Sequence, residues 1–303
     1  MTKNNYHLKK IIWSFFIGIF LVALLLFAVY YLFEANTSKN LQSEFVEVFA
    51  TITESNTQTA AVITPLVEIP VSTRQAEFQY LEVTGGCGIH FDDTDCLNVR
   101  SGPGTNFPAI AKLRNSIVLK VDKLIENEDG RWYKIIFDEW LRYPNRVSAS
   151  WYISADHVRV FTDTGPEEIN PNNPPIPSQK RILIDRGDQT LIAFDGEEIF
   201  IEISISTGLD LSPTPRGIFT VFRKTPTRYM QGPIPGIPGS DYYDLPGVPW
   251  NLYFTEQGAV IHGAYWHNSF GNQYSHGCVN LPTATAETLY KWADLGTTVE
   301  VRD

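Results

Sequence analysis

The sequence predicts a mainly-β protein with an N-terminal transmembrane helix, a small β-barrel and a second β-rich domain that contains one clear helix. Three observations lead to this fold class. An uncharged apolar run occupies residues 11–33, short strand-type runs separated by turn residues fill most of the remainder, and one segment near the C-terminus has helical spacing. The 303 residues allow about two folded domains at roughly 150 residues each.

The composition of the chain excludes several protein classes. Hydrophobic residues make up 43% of the sequence, which is enough for packed cores and argues against a disordered, collagen-like or coiled-coil chain. Asp and Glu number 34 against 24 Lys and Arg, and the resulting net charge of -10 argues against a nucleic-acid partner. Walker-type and dinucleotide-binding glycine patterns are absent from the sequence, so we expect no cofactor.

The apolar run at residues 11–33 is long enough for a helix to cross a hydrocarbon core of about 30 Å. Lys3, Lys9 and Lys10 precede it, and only a weak cleavage site follows it. Because positive charge favours the cytoplasmic side, residues 1–10 are predicted to lie inside and the chain after residue 34 outside. We therefore predict a single-pass membrane protein with a retained signal anchor.

The extracytoplasmic compartment permits disulfide bonds, which gives the three cysteines a simple interpretation. Cys87 and Cys96 are close in sequence and bracket a polar loop, so we predict that they pair. Cys278 is then the remaining free thiol and a candidate for reaction chemistry.

The region after the anchor divides into a spacer and a small domain. Residues 34–75 are rich in Thr, Ser, Asn, Gln and Glu and are predicted to be a flexible spacer. Residues 76–162 contain five short strand-type runs broken by turn chemistry, which predicts a small barrel. These runs are Phe78–Val83, Ala109–Leu113, Ile117–Val121, Trp132–Phe137 and Trp151–Ile153.

Three segments of residues 76–162 resemble bacterial SH3-like domains. They are the stretch Leu97–Gly104, the stretch Gly130–Lys134 and the stretch Ser150–Ile153. Residues 138–149 form an insert that is longer than the family pattern. The resemblance implies either binding of cell-wall peptides or packing against a catalytic partner, and both roles stay open.

A proline-rich segment at residues 163–179 predicts a stiff, extended linker, which separates the barrel from a domain at 180–303. That domain is predicted to be mostly antiparallel. Its strand-type runs are Arg181–Asp185, Thr190–Phe194, Glu198–Ser206, Gly217–Phe222, Ala259–His262 and Thr298–Val301. The helical spacing covers residues 284–295. The Pro- and Gly-rich stretch at residues 225–250 predicts a long loop that acts as a lid or is disordered.

The densest group of reactive side chains lies between His262 and Asn280 and includes His276 and Cys278. A thiol needs a nearby base to act as a nucleophile near neutral pH, because its free pKa is about 8.5. An imidazole supplies that base and can then protonate a leaving amine. A buried inert cysteine and a zinc site are the alternatives, but the close paired-ligand spacing of structural zinc sites is missing, so we expect no metal.

The sequence Ser275-His276-Gly277-Cys278-Val279-Asn280, with His262-Gly263 upstream, resembles the active-site signature of YkuD-type L,D-transpeptidases. The resemblance extends over residues 180–303 and includes Ser206-Thr207-Gly208 and the stretch Thr214–Phe219. Many members of the family carry Arg where this chain has Asn280, and Asn is a known variant.

The resemblance implies a role for each matching residue. Cys278 matches the nucleophile, His262 the general base and acid, and the Gly263 carbonyl the group that orients His262. The backbone N–H groups of His276 and Gly277, together with that of Cys278, are candidates for the oxyanion hole. The predicted substrate contacts are Asn280, Ser275, Trp266 and, from the lid, Tyr242, although for Trp266 and His267 simple packing is the favoured interpretation.

The resemblance further implies peptidoglycan stem peptides as substrates, 3→3 cross-linking through a cysteine thioester, and acylation of the same cysteine by carbapenems. It places the catalytic part outside a bacterial cell membrane. L,D-carboxypeptidase activity, attachment of a wall protein and a non-catalytic wall-binding role remain alternatives. A papain-like hydrolase would have Cys before His in the chain, and a sortase would have a much longer His–Cys gap and a downstream Arg.

Overall fold

The computed structural model describes residues 76–89, 95–175, 178–233 and 242–303. All of them belong to one compact unit that extends from Thr73 to Asp303. The predicted anchor at residues 11–33 and the predicted spacer at residues 34–75 lie outside the described residues and stay predictions. Within the described ranges, no helix is both long and apolar enough to cross a membrane.

The N-terminal part of the described chain forms an antiparallel seven-stranded sheet, here called the first sheet. Its strands are β1 (Phe78–Val83), β2 (Leu97–Arg100), β3 (Ala109–Leu113), β4 (Val118–Asn127), β5 (Gly130–Ile135), β6 (Tyr152–Ser154) and β7 (Val158–Asp163). Their spatial order is β3-β2-β6-β5-β4-β1-β7. Two short 3₁₀ turns, Pro144–Val147 and Ala155–His157, interrupt the connections around β6.

The first sheet has two more strands than the five that the sequence predicts. β2 is short but alternates buried and half-buried side chains, as a half-covered strand should. β7 buries none of its side chains fully, although Val158, Arg159 and Val160 alternate apolar and polar residues. Over the described residues no hydrogen-bonded pair joins β3 to β7, and the predicted barrel stays a prediction. The likeness to SH3 domains stays a prediction.

The predicted pairing of Cys87 with Cys96 is confirmed, because the two sulfur atoms form a disulfide bond. Cys278 is a free, half-buried thiol, as the sequence predicts. The disulfide ties the start of β2 to the chain after β1, where Asn115 donates its N–H to the carbonyl of Cys87.

The proline-rich segment at residues 163–179 makes specific contacts with the C-terminal part of the chain. Its residues Glu167–Glu168 form the short strand β8, and the Ile169 N–H donates to the carbonyl of Phe222 at 2.8 Å. The segment therefore begins as an edge strand of the second part of the molecule, since β8 pairs antiparallel with a strand there.

The C-terminal part contains two five-stranded sheets over the described residues. The strands in chain order are β9 (Lys180–Asp185), β10 (Thr190–Asp195), β11 (Glu198–Ser204), β12 (Gly217–Thr220), β13 (Arg223–Pro233), β14 (Tyr242–Tyr253), β15 (Val260–Gly263), β16 (Val279–Leu281) and β17 (Thr298–Arg302). One sheet has the order β11-β10-β9-β17-β12 and the other β16-β15-β14-β13-β8. Two pairs are parallel, β17 with β9 and β16 with β15, and the rest are antiparallel.

The helix predicted near the C-terminus is confirmed as α1 (Thr283–Trp292), the single α-helix of the described residues. It buries Ala286, Leu289 and Tyr290 against the β-sheet core, as its helical spacing requires. It ends earlier than predicted because Ala293 adopts an extended conformation while its N–H still bonds to the carbonyl of Leu289. The mainly-β fold class is thus confirmed for this part.

The predicted lid at residues 225–250 is wrong as a long loop. Strands β13 and β14 pair along most of this stretch and form an antiparallel hairpin. Prolines such as Pro233 and Pro249 are paired in this ladder, whose register shifts once, between Arg228 and Met230. Gly247 and Trp250 have positive φ angles of 62° each. Residues 234–241, between the two strands, lie outside the described residues.

Hydrophobic packing joins the first sheet to the C-terminal part. Met230, Val248 and Tyr265 from the C-terminal part belong to the same buried cluster as Leu81 and Leu119 of the first sheet. Conversely, side chains of the first sheet are buried in the C-terminal core, namely Tyr80 and Val118. The two parts therefore share apolar cores, and the hairpin β13–β14 lies where they meet.

Candidate active site

A cavity of about 720 Å³ opens beside the hairpin and contains both reactive residues that the sequence singles out. His262 lies on β15, and Cys278 immediately precedes β16. These two strands pair in parallel, with Ile261 opposite Val279 and His262 opposite Asn280. The pairing brings the two halves of the sequence motif to one end of the sheet, facing the same cavity.

The thiol of Cys278 is protonated at neutral pH in this environment. Burial raises its pKa above the ordinary value, while the Val260 N–H and the positive charge of Arg228 lower it in part. The Sγ–H donates weakly to the carbonyl oxygen of Gly258 at 3.8 Å. A base must therefore remove the proton when the thiol attacks a substrate.

His262 has the properties of that base. Its side chain is 1% exposed, and Nδ1 lies 3.0 Å from the carbonyl oxygen of Gly263, which is the contact that the family resemblance implies. Because a carbonyl only accepts, Nδ1 carries the proton and Nε2 keeps a free lone pair. Burial lowers the pKa of His262 to about 4, against an upward contribution from the Gly263 carbonyl. The imidazole is thus neutral and able to accept a proton.

Ser275 holds the loop that carries the nucleophile. Its hydroxyl donates to the Cys278 carbonyl at 2.5 Å and accepts the Gly277 N–H at 3.2 Å. The side chain is 5% exposed, so its contacts are mainly within the loop, although the sequence predicts a substrate contact. Gly277 has a φ of 112°, a left-handed conformation that favours glycine and lets the loop turn before Cys278.

The loop geometry changes which of the predicted oxyanion donors are available. The N–H of Gly277 already donates to Ser275, so it is less available than the sequence predicts. The backbone N–H groups of His276 and Cys278 form no hydrogen bond with any residue in the described ranges. They remain the candidates for stabilising a developing oxyanion. The neighbouring hydroxyl of Ser212 donates to the His276 carbonyl at 2.9 Å and supports the same loop.

Asn280 lines the cavity and is fixed by His267, which lies behind it. The Ser269 N–H donates to Nδ1 of His267 at 3.1 Å, and burial lowers the pKa of His267 to about 4. His267 is therefore neutral with its proton on Nε2, and Nε2 faces the Asn280 amide at 2.9 Å. Two donors cannot face each other, so Asn280 must turn its oxygen to Nε2. The NH₂ group of Asn280 then lies at the other end of the amide, which is buried and has no hydrogen-bond partner among the described residues.

The aromatic residues of the cavity differ in part from those predicted. Trp266 lines it, with its ring centre 5.7 Å from that of His262. Tyr242 does not line it and packs on Tyr143 instead, with ring centres 5.4 Å apart. Because side chains alternate along a strand, its neighbour Tyr243 takes the cavity position and stacks on His276 at 6.2 Å.

Sequence reasoning missed several lining residues. Arg228 and Met230 lie on β13, inside the segment predicted to be a loop. Trp140 and Arg142 come from the insert at residues 138–149, whose unusual length was the one signal in the sequence. Within the described part of the chain, no group of three or more His, Cys, Asp or Glu residues is placed to hold a metal ion.

Comparison with known families agrees with this geometry. Residues 179–301 match the family model described as the YkuD L,D-transpeptidase catalytic domain. The resemblance read from the motif around Cys278 is confirmed for this domain. The match does not extend to the first sheet.

Known proteins similar to the chain also contain L,D-transpeptidase domains. The chain is 34% identical over 102 residues to a Mycobacterium tuberculosis protein named probable L,D-transpeptidase 3. The aligned region covers 32% of this chain and 37% of that protein. The chain thus spans little more than a third of that relative. Among solved structures, an L,D-transpeptidase from Mycobacterium smegmatis is 21% identical to the chain and has a TM-score of 0.39. The alignment covers 57% of this chain and 90% of the M. smegmatis chain.

A second solved structure is the catalytic domain of an Enterococcus faecium L,D-transpeptidase acylated by ertapenem. It is 24% identical to the chain and has a TM-score of 0.36. The alignment covers 42% of this chain and 100% of the E. faecium domain. Within the residues that match the family model, the described geometry places Cys278, His262 and Asn280 around one cavity.

Proposed function

We propose that this protein is a peptidoglycan L,D-transpeptidase that forms 3→3 cross-links through a thioester on Cys278. The observation that carries the proposal is the pairing of two groups in one cavity of a YkuD-type domain. These groups are a free thiol at Cys278 and a neutral imidazole at His262, whose tautomer is set by the Gly263 carbonyl.

The first half of the proposed reaction transfers an acyl group to the protein. The sulfur of Cys278 attacks the carbonyl carbon of the third stem residue while its proton passes to Nε2 of His262. The N–H groups of His276 and Cys278 are proposed to stabilise the resulting oxyanion. The bond to the fourth residue then breaks, D-Ala leaves with the proton from His262, and the thioester remains.

The second half of the reaction consumes the thioester. A side-chain amine of a second stem attacks the acyl carbon, and its proton passes to His262 and then to the departing sulfur of Cys278. This restores the thiol and produces an amide between two third residues. Water in place of the amine would hydrolyse the thioester and make the protein a carboxypeptidase.

The cavity suits a peptide substrate in size and lining. Its volume of about 720 Å³ lies within the range of about 300–1,000 Å³ that is common for ligand sites. Tyr243 and Trp266 offer apolar faces, and the NH₂ of Asn280 offers a donor. A β-lactam of the carbapenem class would acylate the same thiol, so we propose carbapenems as inhibitors.

We further propose that the catalytic part works on the extracytoplasmic side of a bacterial cell membrane, anchored by residues 11–33. The disulfide between Cys87 and Cys96 supports an oxidising compartment, because such bonds are rare in the cytosol. Labelling intact cells with a membrane-impermeant protein reagent tests this location. Modification of the C-terminal part would support it, and protection until the cells are lysed would contradict it.

The proposed activity is tested by incubating the full-length protein with purified disaccharide-tetrapeptide and analysing the products by mass spectrometry, with Cys278→Ala as the control. We expect dimers that have lost one D-Ala, and their absence with the variant. Loss of D-Ala without dimers would instead indicate a carboxypeptidase. No Cys278-dependent product would contradict the proposal.

A further inference from the structure

The insert at residues 138–149 is anchored to the hairpin beside the active site. The Arg146 guanidinium donates two hydrogen bonds to the Asp244 carboxylate, at 2.9 and 2.7 Å. The Tyr143 N–H donates to the side-chain oxygen of Gln231 at 3.0 Å. These contacts join a loop of the first sheet to strands β13 and β14 of the catalytic part.

A third anchor fixes the start of the insert. The N–H of Tyr229 on β13 donates to the Glu139 carboxylate at 2.9 Å. The next residues of the insert then reach the catalytic cavity, where Trp140 and Arg142 form part of its wall. Trp140 is 81% exposed, which is unusual for a large apolar side chain and places it at the rim.

The charge in the cavity is opposite in sign to that of the whole chain. The protein has a formal net charge of -10, yet among the described residues the formally charged side chains that line the cavity are Arg142 and Arg228, with no carboxylate. Neither guanidinium forms an ion pair with any residue that the structure describes. Arginines without an ion-pair partner in a concave site attract an anion, although Arg228 also acts electrostatically on Glu139.

Both arginines act electrostatically on residues close to the thiol of Cys278. Burial and the neighbouring Cys278 raise the pKa of Tyr243, whereas the charges of Arg228 and Arg142 both lower it. Arg228 also acts electrostatically on His262 and on Cys278. The Tyr243 phenol therefore lies within electrostatic reach of both guanidinium groups and of the thiol.

We propose that Arg142 and Arg228 bind the terminal carboxylate of the donor stem peptide, so that the insert of the first sheet completes the substrate site. This rests on the proposed function. The scissile bond joins the third residue to the last, so the terminal carboxylate is the substrate anion that lies close to the attacked carbonyl. A guanidinium recognises a carboxylate through paired N–H donors, which suits this role better than a point charge does.

The proposal is tested with two donor peptides that differ only at their end. One is the disaccharide-tetrapeptide with a free D-Ala carboxylate, and the other carries D-alaninamide. Acylation of Cys278 in the full-length protein is followed by intact mass. We expect kcat/KM for the amide to fall by about tenfold or more, mainly through KM, because a hydrogen-bonded charge is lost.

Variants of Arg142 assign the effect to the insert. Arg142→Gln should lower kcat/KM for the free acid by about tenfold and leave the amide nearly unchanged, so that discrimination between the two peptides is lost. Arg142→Lys should restore part of the discrimination between the free acid and the amide. Arg131→Gln is the matched control, because Arg131 is an exposed arginine of the first sheet outside the cavity and should behave as wild type.

Two results would overturn the proposal while leaving the transpeptidase function intact. One is equal acylation by the free acid and the amide, and the other is an equal loss for both peptides in Arg142→Gln. Equilibrium binding of the two peptides to Cys278→Ala gives a second readout that needs no turnover. Weaker binding of the amide is expected, and equal binding overturns the proposal even if no reaction occurs.

Discussion

Cys278 and His262 are both neutral at rest, and this determines how the thiol reacts with simple electrophiles. Burial raises the pKa of Cys278 and lowers that of His262 to about 4, so no thiolate–imidazolium pair exists near neutral pH. The rate of alkylation of Cys278 by iodoacetamide should therefore keep rising with pH to above pH 9. Mass spectrometry of samples quenched over time measures it, and a rate that is already maximal at pH 6 would contradict this prediction.

In the proposed mechanism, the low pKa of His262 also sets the acid limit of activity. The imidazole accepts a proton only when it is neutral, so activity falls as the pH decreases through the pKa of His262. We expect the acid limb of kcat/KM near pH 4, below the ordinary histidine value of about 6.5. The rate of acylation measured between pH 3.5 and 8 checks this, with circular dichroism to show that the fold persists. A limb near pH 6.5 would contradict it.

At the level of single residues, the meeting of His262 and Cys278 in one cavity could be predicted, and the surroundings of the two residues could not. The motif around Cys278 and the upstream His262 are local in sequence, and the contact between His262 and the Gly263 carbonyl follows from adjacent residues. Arg142 and Tyr243 reach the cavity through packing between distant segments. No local pattern of sequence encodes that packing.

At the scale of elements, the hairpin shows why the local residue preferences of residues 225–250 wrongly predicted a loop. Strands β13 and β14 contain the prolines and glycines that usually mark loops, yet they form the longest ladder of the described C-terminal part. Burial between two cores overrides local preference here, because Met230 and Val248 are covered by the first sheet. Strands β9 and β10 and helix α1 have clear periodicity and were predicted nearly to their ends.

The anchor between Glu139 and the hairpin gives stability a pH dependence. Burial raises the pKa of Glu139 to about 7, partly offset by the Tyr229 N–H and Arg228. The folded state therefore binds a proton more tightly than the unfolded chain, and stability is lost as the pH rises from about 4.5 to about 7. Glu139→Gln removes this dependence and keeps an oxygen acceptor for Tyr229.

We expect Glu139→Gln to raise the melting temperature relative to wild type at pH 8 and to leave it unchanged at pH 4.5. Differential scanning fluorimetry of both proteins at the two pH values measures the effect. Asp122→Asn is a suitable control, since Asp122 is a surface carboxylate of the first sheet whose pKa is lowered by Lys134. A lower melting temperature for Glu139→Gln at pH 8 would contradict this prediction, because it would show that the charged carboxylate stabilises the fold.

At the scale of the whole molecule, the first sheet and the catalytic part should unfold together. They share two apolar cores, and the hydroxyl of Thr227 on β13 donates to the Val118 carbonyl of β4 at 2.5 Å. We therefore expect one cooperative thermal transition for residues 73–303 by scanning calorimetry, with matching calorimetric and van't Hoff enthalpies. Two separate transitions would contradict this coupling.

The packing of the parts against one another could not be predicted from the composition of the chain. The sequence predicts a barrel, a stiff linker and a catalytic domain. In the structure, the linker adds strand β8 to the catalytic sheet, and the insert at 138–149 lines the catalytic cavity. Contacts between segments that are far apart in sequence create both features.

The most direct test of the account is the covalent state of Cys278 during turnover. The full-length protein is mixed with disaccharide-tetrapeptide, quenched in acid and analysed by intact mass and by peptide mapping. The account predicts a mass gain equal to the disaccharide-tripeptide acyl group on the peptide that contains Cys278, with no gain in Cys278→Ala. Product formation without that adduct, or an adduct on another residue, would contradict it.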